Sequence, residues 1–233
     1  MDKLLDGMMW YVVFLFSTTV HEAAHAFAAM KLGDNTAYHG GQVTLDPIPH
    51  VRREPLGTVI VPILSFFISG WMIGWASTPY DPYWAERYPR RSAWMSLAGP
   101  ASNLLLVLFS ALMIRIGIAA GYFVEPDSIN FAHVTAASGE SGIFNAVAII
   151  LSIMFTLNLL LFVFNLLPFP PLDGSGALPL LLKEEHALSY MNFINHSGFS
   201  FFGLFIAWNI FDKLFDPIHL MAINLLYPGA GYH

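Results

Sequence analysis

The chain has 233 residues, of which 56% are hydrophobic and only 11% charged, with a formal net charge of −6. Soluble domains carry about 25% charged residues, so this deficit marks a chain whose main solvent is lipid. The absence of cysteine excludes disulfides, thiolate zinc sites and thiol catalysis, and no basic patch points to nucleic acid.

Apolar stretches near 8–30, 57–77, 93–120, 143–168 and 198–226 approach or exceed the about 20 residues that a membrane-spanning helix needs. The expected fold class is therefore an all-α polytopic membrane protein in contact with a lipid bilayer. The first stretch contains His21-Glu22-Ala23-Ala24-His25. A signal-peptide reading of it is disfavoured, because His21 and Glu22 fall where cleavage wants small neutral residues. In an H-E-x-x-H helix the two histidines lie one turn apart on one face and can share a zinc ion, while the glutamate sits beside them as general base. A charged side chain in mid-membrane costs about 2.5–3.5 kcal/mol, so Glu22 and both imidazoles need a common partner. One Zn2+ ion satisfies all three.

Beyond the first helix, residues 41–46 alternate apolar and polar, the period of a strand; a substrate-holding edge and a surface hairpin both fit. In Ala98-Gly99-Pro100-Ala101-Ser102-Asn103 the small residues allow close helix approach, and Asn103 serves as inter-helix glue or as support for the site. His39, His50, His133, His186, His196, His219 and His233 read as solvated or interfacial, with His39 and His50 the two nearest in sequence to the metal helix.

A catalytic zinc takes three protein ligands and keeps a fourth position for water. The best third ligand is Asp173, which follows an apolar helix that must end where Pro168, Pro170 and Pro171 stop it. Irregular backbone of this kind is tolerated at membrane depth only when protein or a water-filled cavity surrounds it. His21, His25 and Asp173 share a metal only if the C-terminal ends of their helices face one side, which requires an even number of crossings between them. Lys31, Arg52 and Arg53 precede 57–77, Arg87, Arg90 and Arg91 follow it, and 121–142 has neither lysine nor arginine. Parity and the positive-inside rule are both met if 57–77 is re-entrant on the cytoplasmic side, with Pro62, Gly70 and Gly74 permitting the break.

Taken together, HEAAH at 21–25, AGPASN at 98–103 and NLLPFPPLDG at 165–174 resemble the site-2 proteases, zinc metalloproteases that cut within the membrane, in their compact bacterial and archaeal branch. The match runs in the family's order from about residue 10 to 180. It implies a single metalloprotease domain over 1–233, with a helical core at about 8–180, a C-terminal helical extension at 198–226 and a small membrane-dipping β segment after HEAAH. It further implies His21, His25 and Asp173 as zinc ligands, Glu22 as catalytic acid/base and Asn165 as a substrate-positioning residue. The expected activity is hydrolysis of a peptide bond in or near a transmembrane segment of a membrane-protein substrate. The expected location is a multi-pass position in a prokaryotic inner membrane, with the site open to the cytoplasm; nothing in the sequence sets an oligomeric state. A zinc carrier would instead need a polar path lined by His and Asp on several helices, and an inactive scaffold would not need Glu22 beside an intact ligand pair.

Overall fold

The computed structural model describes residues 3–139, 141–195 and 199–232. His196 and His233 lie outside these residues. Among the described residues, three helices are long and apolar enough to cross a membrane: α1 (Lys3–Leu32), and two that follow it at Pro89–Ala119 and Gly142–Asn165. At a rise of 1.5 Å per residue each exceeds the roughly 30 Å hydrocarbon core. The chain is a helical membrane protein.

Between the first two spans lie α2 (Thr36–His39), α3 (Pro47–Arg53), a π-helical turn at Leu56–Ile60 that runs into α4 (Val61–Ser69), and α5 (Pro82–Arg87). α3 and α5 start in the same way. Asp46 and Asp81 each accept from the backbone N–H two residues on, Ile48 and Tyr83, and a proline fills the first helical position. This corrects the expectation of a strand at 41–46. Gly41 has φ +72, Thr44 Oγ1 accepts from Asp46 N, and Asp46 is committed as a cap, so local side-chain bonds take the backbone that a strand would need. His50, expected in solvent, is 2% exposed, with Nε2 against the Thr44 carbonyl at 3.1 Å.

The 57–77 stretch turns back. α4 ends at Gly70, whose φ of +81 is the left-handed conformation that glycine adopts without a Cβ clash. From there the chain returns without helical structure alongside its own outgoing arm. Ile73 N donates to Ser65 Oγ at 2.9 Å and Trp75 N to Gly57 O at 3.1 Å. At the mouth, Ser77 Oγ donates to Glu54 Oε1 at 2.6 Å and accepts from Arg53 Nε at 3.1 Å. The two arms meet so closely at Gly57 that a Cβ there would collide with Trp75. Entrance and exit therefore share one end of the molecule, as parity requires.

The second span is α6 (Pro89–Ala119); it leads to a two-stranded antiparallel sheet, β1 (Phe123–Val124) with β2 (Ala136–Ala137), and then to the third span, α7 (Gly142–Asn165). This is where the fold's small sheet lies, far along the chain from HEAAH. After α7 come α8 (Asp173–Ala177), a 3-10 turn at Leu178–Leu180, α9 (Glu184–Asn195) and α10 (Phe199–Leu226). α10 stays helical through Lys213, Asp216 and Pro217 instead of dividing into a helix and an interfacial piece.

Burial is divided between two main clusters. Val107, Ile114, Phe155, Leu159, Phe211 and Phe215 join α6, α7 and α10, whereas Trp10, Phe14, Phe66, Met72, Ile153 and Leu157 join the first half of α1 to the hairpin and α7. Opposite rows such as Val12 and Phe16, or Leu105, Leu108 and Leu112, are exposed, as lipid-facing residues are. A third cluster, Ala29, Trp84, Ala85, Met95 and Met191, closes the C-terminal end of α1.

Candidate metal centre

His21 and His25 are buried on the face of α1 that packs against α6. Pro168 and its neighbours end α7, and the chain bends so that Asp173, the first residue of α8, meets them. Gly174 makes that bend possible: a Cβ there would strike the Leu166 and Leu167 carbonyls at the end of α7. The three ligand-type atoms form a near-equilateral triangle. His21 Nε2 is 3.0 Å from His25 Nε2, and Asp173 Oδ2 is 3.1 Å and 3.3 Å from the two nitrogens. Donors on a tetrahedral zinc at about 2.0–2.1 Å stand roughly 3.3 Å apart, so the triangle has the required size.

The outer hydrogen bonds fix what this triangle can hold. The His21 ring has Nδ1 2.6 Å from Asn103 Oδ1, and the His25 ring has Nδ1 2.7 Å from the Met95 carbonyl. A carbonyl oxygen only accepts, so in His25 the Nδ1 nitrogen bears the proton and Nε2 presents its lone pair. Asn103 is oriented as an acceptor toward His21 because its Nδ2 donates to Asn158 Oδ1 at 2.8 Å. Asn158 Nδ2 in turn donates to Ser17 Oγ and to the Met154 carbonyl. Two lone pairs and a carboxylate oxygen without a hydrogen-bond donor thus converge on one point. Only a cation relieves their repulsion. Among the described residues, His21, His25 and Asp173 are a His and carboxylate group close enough to hold a metal ion, and their chemistry fits zinc.

Burial alone would push the Asp173 carboxyl up, but in the metal-free site the facing His25 and His21 rings, when they carry a proton on Nε2, outweigh it and hold the group well below the ordinary carboxylate range. Asp173 is also the most open of the three, its side chain 21% exposed against 9% for the imidazoles, although its Oδ2, the atom facing them, is buried. Glu22 is buried beside His21, and its Oε2 lies 2.8 Å from the Thr78 hydroxyl on the hairpin's return arm.

Sequence reasoning brought together His21, Glu22, His25 and Asp173, and placed Asn103 in support. Asn165 stands apart from this group: it is the last residue of α7, half-buried, and its amide donates to the Leu161 carbonyl of its own helix at 3.0 Å. The contributions of Met95, Gly99 and Asn158 were missed. Met95, Gly99 and Asn103 recur at every fourth position and line one face of α6, where a Cβ on Gly99 would collide with Nε2 of both His25 and His21. Asn158 is fully buried and ties α6 to α1. The small residues of AGPASN had signalled close approach; what approaches is the ligand pair itself.

The chain is 34% identical over 180 residues to a Bacillus subtilis protein named "Putative zinc metalloprotease YwhC", covering 75% of this chain and 71% of that one. Proteins named "Putative zinc metalloprotease Rip2" from Mycolicibacterium smegmatis and Mycobacterium tuberculosis are 29% and 31% identical over 171 and 173 residues. The matches span 73% of this chain and 56% of each of those proteins. No family profile matches the chain, and neither does any solved structure.

Proposed function

The chain belongs to the site-2 protease family of zinc metalloproteases, and on that premise we propose that it is an intramembrane endopeptidase that hydrolyses a transmembrane segment of a membrane-protein substrate. The observation that carries this reading is the convergence of two lone-pair imidazole nitrogens and Asp173 Oδ2 next to the buried carboxyl of Glu22.

His21, His25 and Asp173 would hold the zinc, and Asn103 and the Met95 carbonyl would keep the imidazoles facing it. Zinc bound there supplies Lewis acidity, which lowers the pKa of water toward about 7 and polarises a carbonyl. Glu22 takes the proton of the attacking water on its carboxylate and returns it to the leaving amide nitrogen, so that the C–N bond breaks to a carboxylate and an amine. The substrate has to unwind locally, because a helical peptide carbonyl is already hydrogen-bonded and screened by its own helix. Asn165, at the end of α7, would act on such an unwound segment, as the resemblance implies.

The orientation follows from charge. Lys31 lies six residues, about 9 Å, beyond His25 on α1, and Arg53 contacts the hairpin's mouth. Arg91 donates to the Leu32 carbonyl at the C-terminal end of α1, and Arg87 and Arg90 neighbour it in the chain, so the basic residues mark that end, which the positive-inside rule assigns to the cytoplasm of a prokaryotic inner membrane.

The test compares wild type with Glu22→Gln, both purified in mild detergent, for bound zinc by elemental analysis and for cleavage of a single-span reporter fusion with a central Gly-Pro in its transmembrane segment. Equal zinc and a loss of cleavage of about 10²–10⁴-fold are expected. Equal cleavage by the two proteins would sink the mechanism.

A further inference from the structure

Glu22 has one side-chain partner in the structure, and that partner comes from outside the helical core. Thr78 Oγ1 is 2.8 Å from Glu22 Oε2 and 2.9 Å from the Glu22 backbone carbonyl. Thr78 sits on the return arm of the hairpin, one residue after Ser77, which is bonded to both Glu54 and Arg53 at the mouth. We infer that Thr78 is the positioning residue for the Glu22 carboxyl, delivered to it by the re-entrant hairpin. This inference rests on the proteolytic reading above.

A hydroxyl is suited to this position. It has one proton to donate and lone pairs with which to accept. When Glu22 is a carboxylate, the Thr78 proton goes to Oε2. When Glu22 has taken up a proton, that proton can be donated to Thr78 Oγ1, and the threonine's own proton turns to the Glu22 backbone carbonyl. The 2.8 Å contact therefore survives both halves of a reaction in which the carboxyl must first accept a proton and then give it back. A lysine, which has donors only, would favour the carboxylate form. The backbone carbonyl at 2.9 Å is the second acceptor that the alternation needs, and it belongs to the same residue.

The anchoring of the arm explains why the hydroxyl stays in place. Trp75 N on Gly57 O, Ser77 on Glu54 and Arg53, and Asp81 N on Asp34 Oδ2 at 2.9 Å fix the arm on both sides of Thr78. Asp34 in turn lies two residues beyond α1, the helix that carries Glu22, and holds Thr36 N and Oγ1. Thr78 is thus registered against the same helix whose carboxyl it holds.

The test measures kcat and KM for wild type, Thr78→Val and Thr78→Ser on the reporter fusion, with bound zinc determined for each. Misplacing a reacting group by about 1 Å costs on the order of 10²-fold. Thr78→Val, nearly isosteric, is expected to keep wild-type zinc and KM within about twofold while kcat falls about 10-fold to 100-fold. Thr78→Ser is expected to recover kcat to within about threefold, because it keeps the hydroxyl. The inference is overturned if Thr78→Val turns over as fast as wild type or faster, the result for an arm that merely covers the site. It is also overturned if Thr78→Ser is no better than Thr78→Val, or if the loss lies in KM or zinc. A wild type that cleaves nothing overturns the proteolytic reading instead, so the two failures are distinguishable.

Discussion

The metal centre and the hairpin that reaches it are built on opposite plans. At the centre, α1, α6 and α7 are cross-braced by buried polar bonds: His21 to Asn103, Asn103 to Asn158, Asn158 back to Ser17, and His25 to the Met95 carbonyl. The hairpin has little of this. It packs on α1 mainly through Phe66 and Met72, while Ile60, Leu64, Phe67 and Ile68 face outward, Ile68 being 86% exposed. Its hold on the site is a few bonds at the mouth and one hydroxyl. Local opening free energies are low where buried contacts are few, so the hairpin is the part of this molecule that can yield to a substrate without loosening the ligands.

That contrast can be tested by damaging each region in turn. The largest effect is expected from Gly99→Ala, because the added methyl would occupy the space against both imidazole Nε2 atoms. Purified variant protein should contain little or no zinc, and cleavage should be lost with it. Asn103→Ala comes next. It removes the acceptor that fixes the His21 ring and leaves Asn158 without one of its partners, and zinc affinity, measured by competition with a chelator, should weaken about 10–100-fold.

Acid should act on the same place. An imidazole must be deprotonated at the nitrogen that binds a metal, so as pH falls protons compete with zinc for the His21 and His25 Nε2 atoms. Apparent zinc affinity should therefore decrease with decreasing pH, by up to about tenfold per unit for each imidazole that must shed a proton to bind. A pH-independent affinity would contradict the ligand set. The smallest effect belongs to the hairpin: Ser77→Ala should cost about 0.5–1.5 kcal/mol of local stability, leave zinc untouched and speed proteolytic nicking near residues 70–76. If Ser77→Ala released zinc as Gly99→Ala does, the separation of the two regions would be wrong.

What could be read in advance follows from the range of the interactions. HEAAH declares itself because its chemistry lies within one helical turn, and Asp173 because three prolines forced irregular backbone to membrane depth. The turn-back of 57–77 was legible from a count of crossings and the placement of six basic residues, although no single residue in it announces a turn. The strand at 41–46 was misread because alternation is a weak signal over six residues, and the Asp46-Pro47 cap outweighs it. Asn158 and the Met95 carbonyl were invisible for a different reason. Their roles are set by partners far away in sequence, and a backbone carbonyl carries no mark of side-chain type. The extended arm that brings Thr78 to Glu22 likewise depends on tertiary contacts of Trp75 and Ser77.

The bond between Asn158 and Ser17 joins residues 141 apart in the chain, and His21 lies 82 residues before its partner Asn103. At a synthesis rate of about 5–20 residues per second, α1 is made some 7 to 28 s before Asn158 exists. During that interval His21, Glu22 and His25 gain Thr78, Met95 and Asn103 as partners, but Asp173 is still to come. The insertion machinery, or water at its mouth, has to shelter α1 until α7 arrives, and zinc can be captured by all three ligands only after Asp173 has been added. A translation pause between α6 and α7 would lengthen the time for which the unfinished site is open to quality-control proteases.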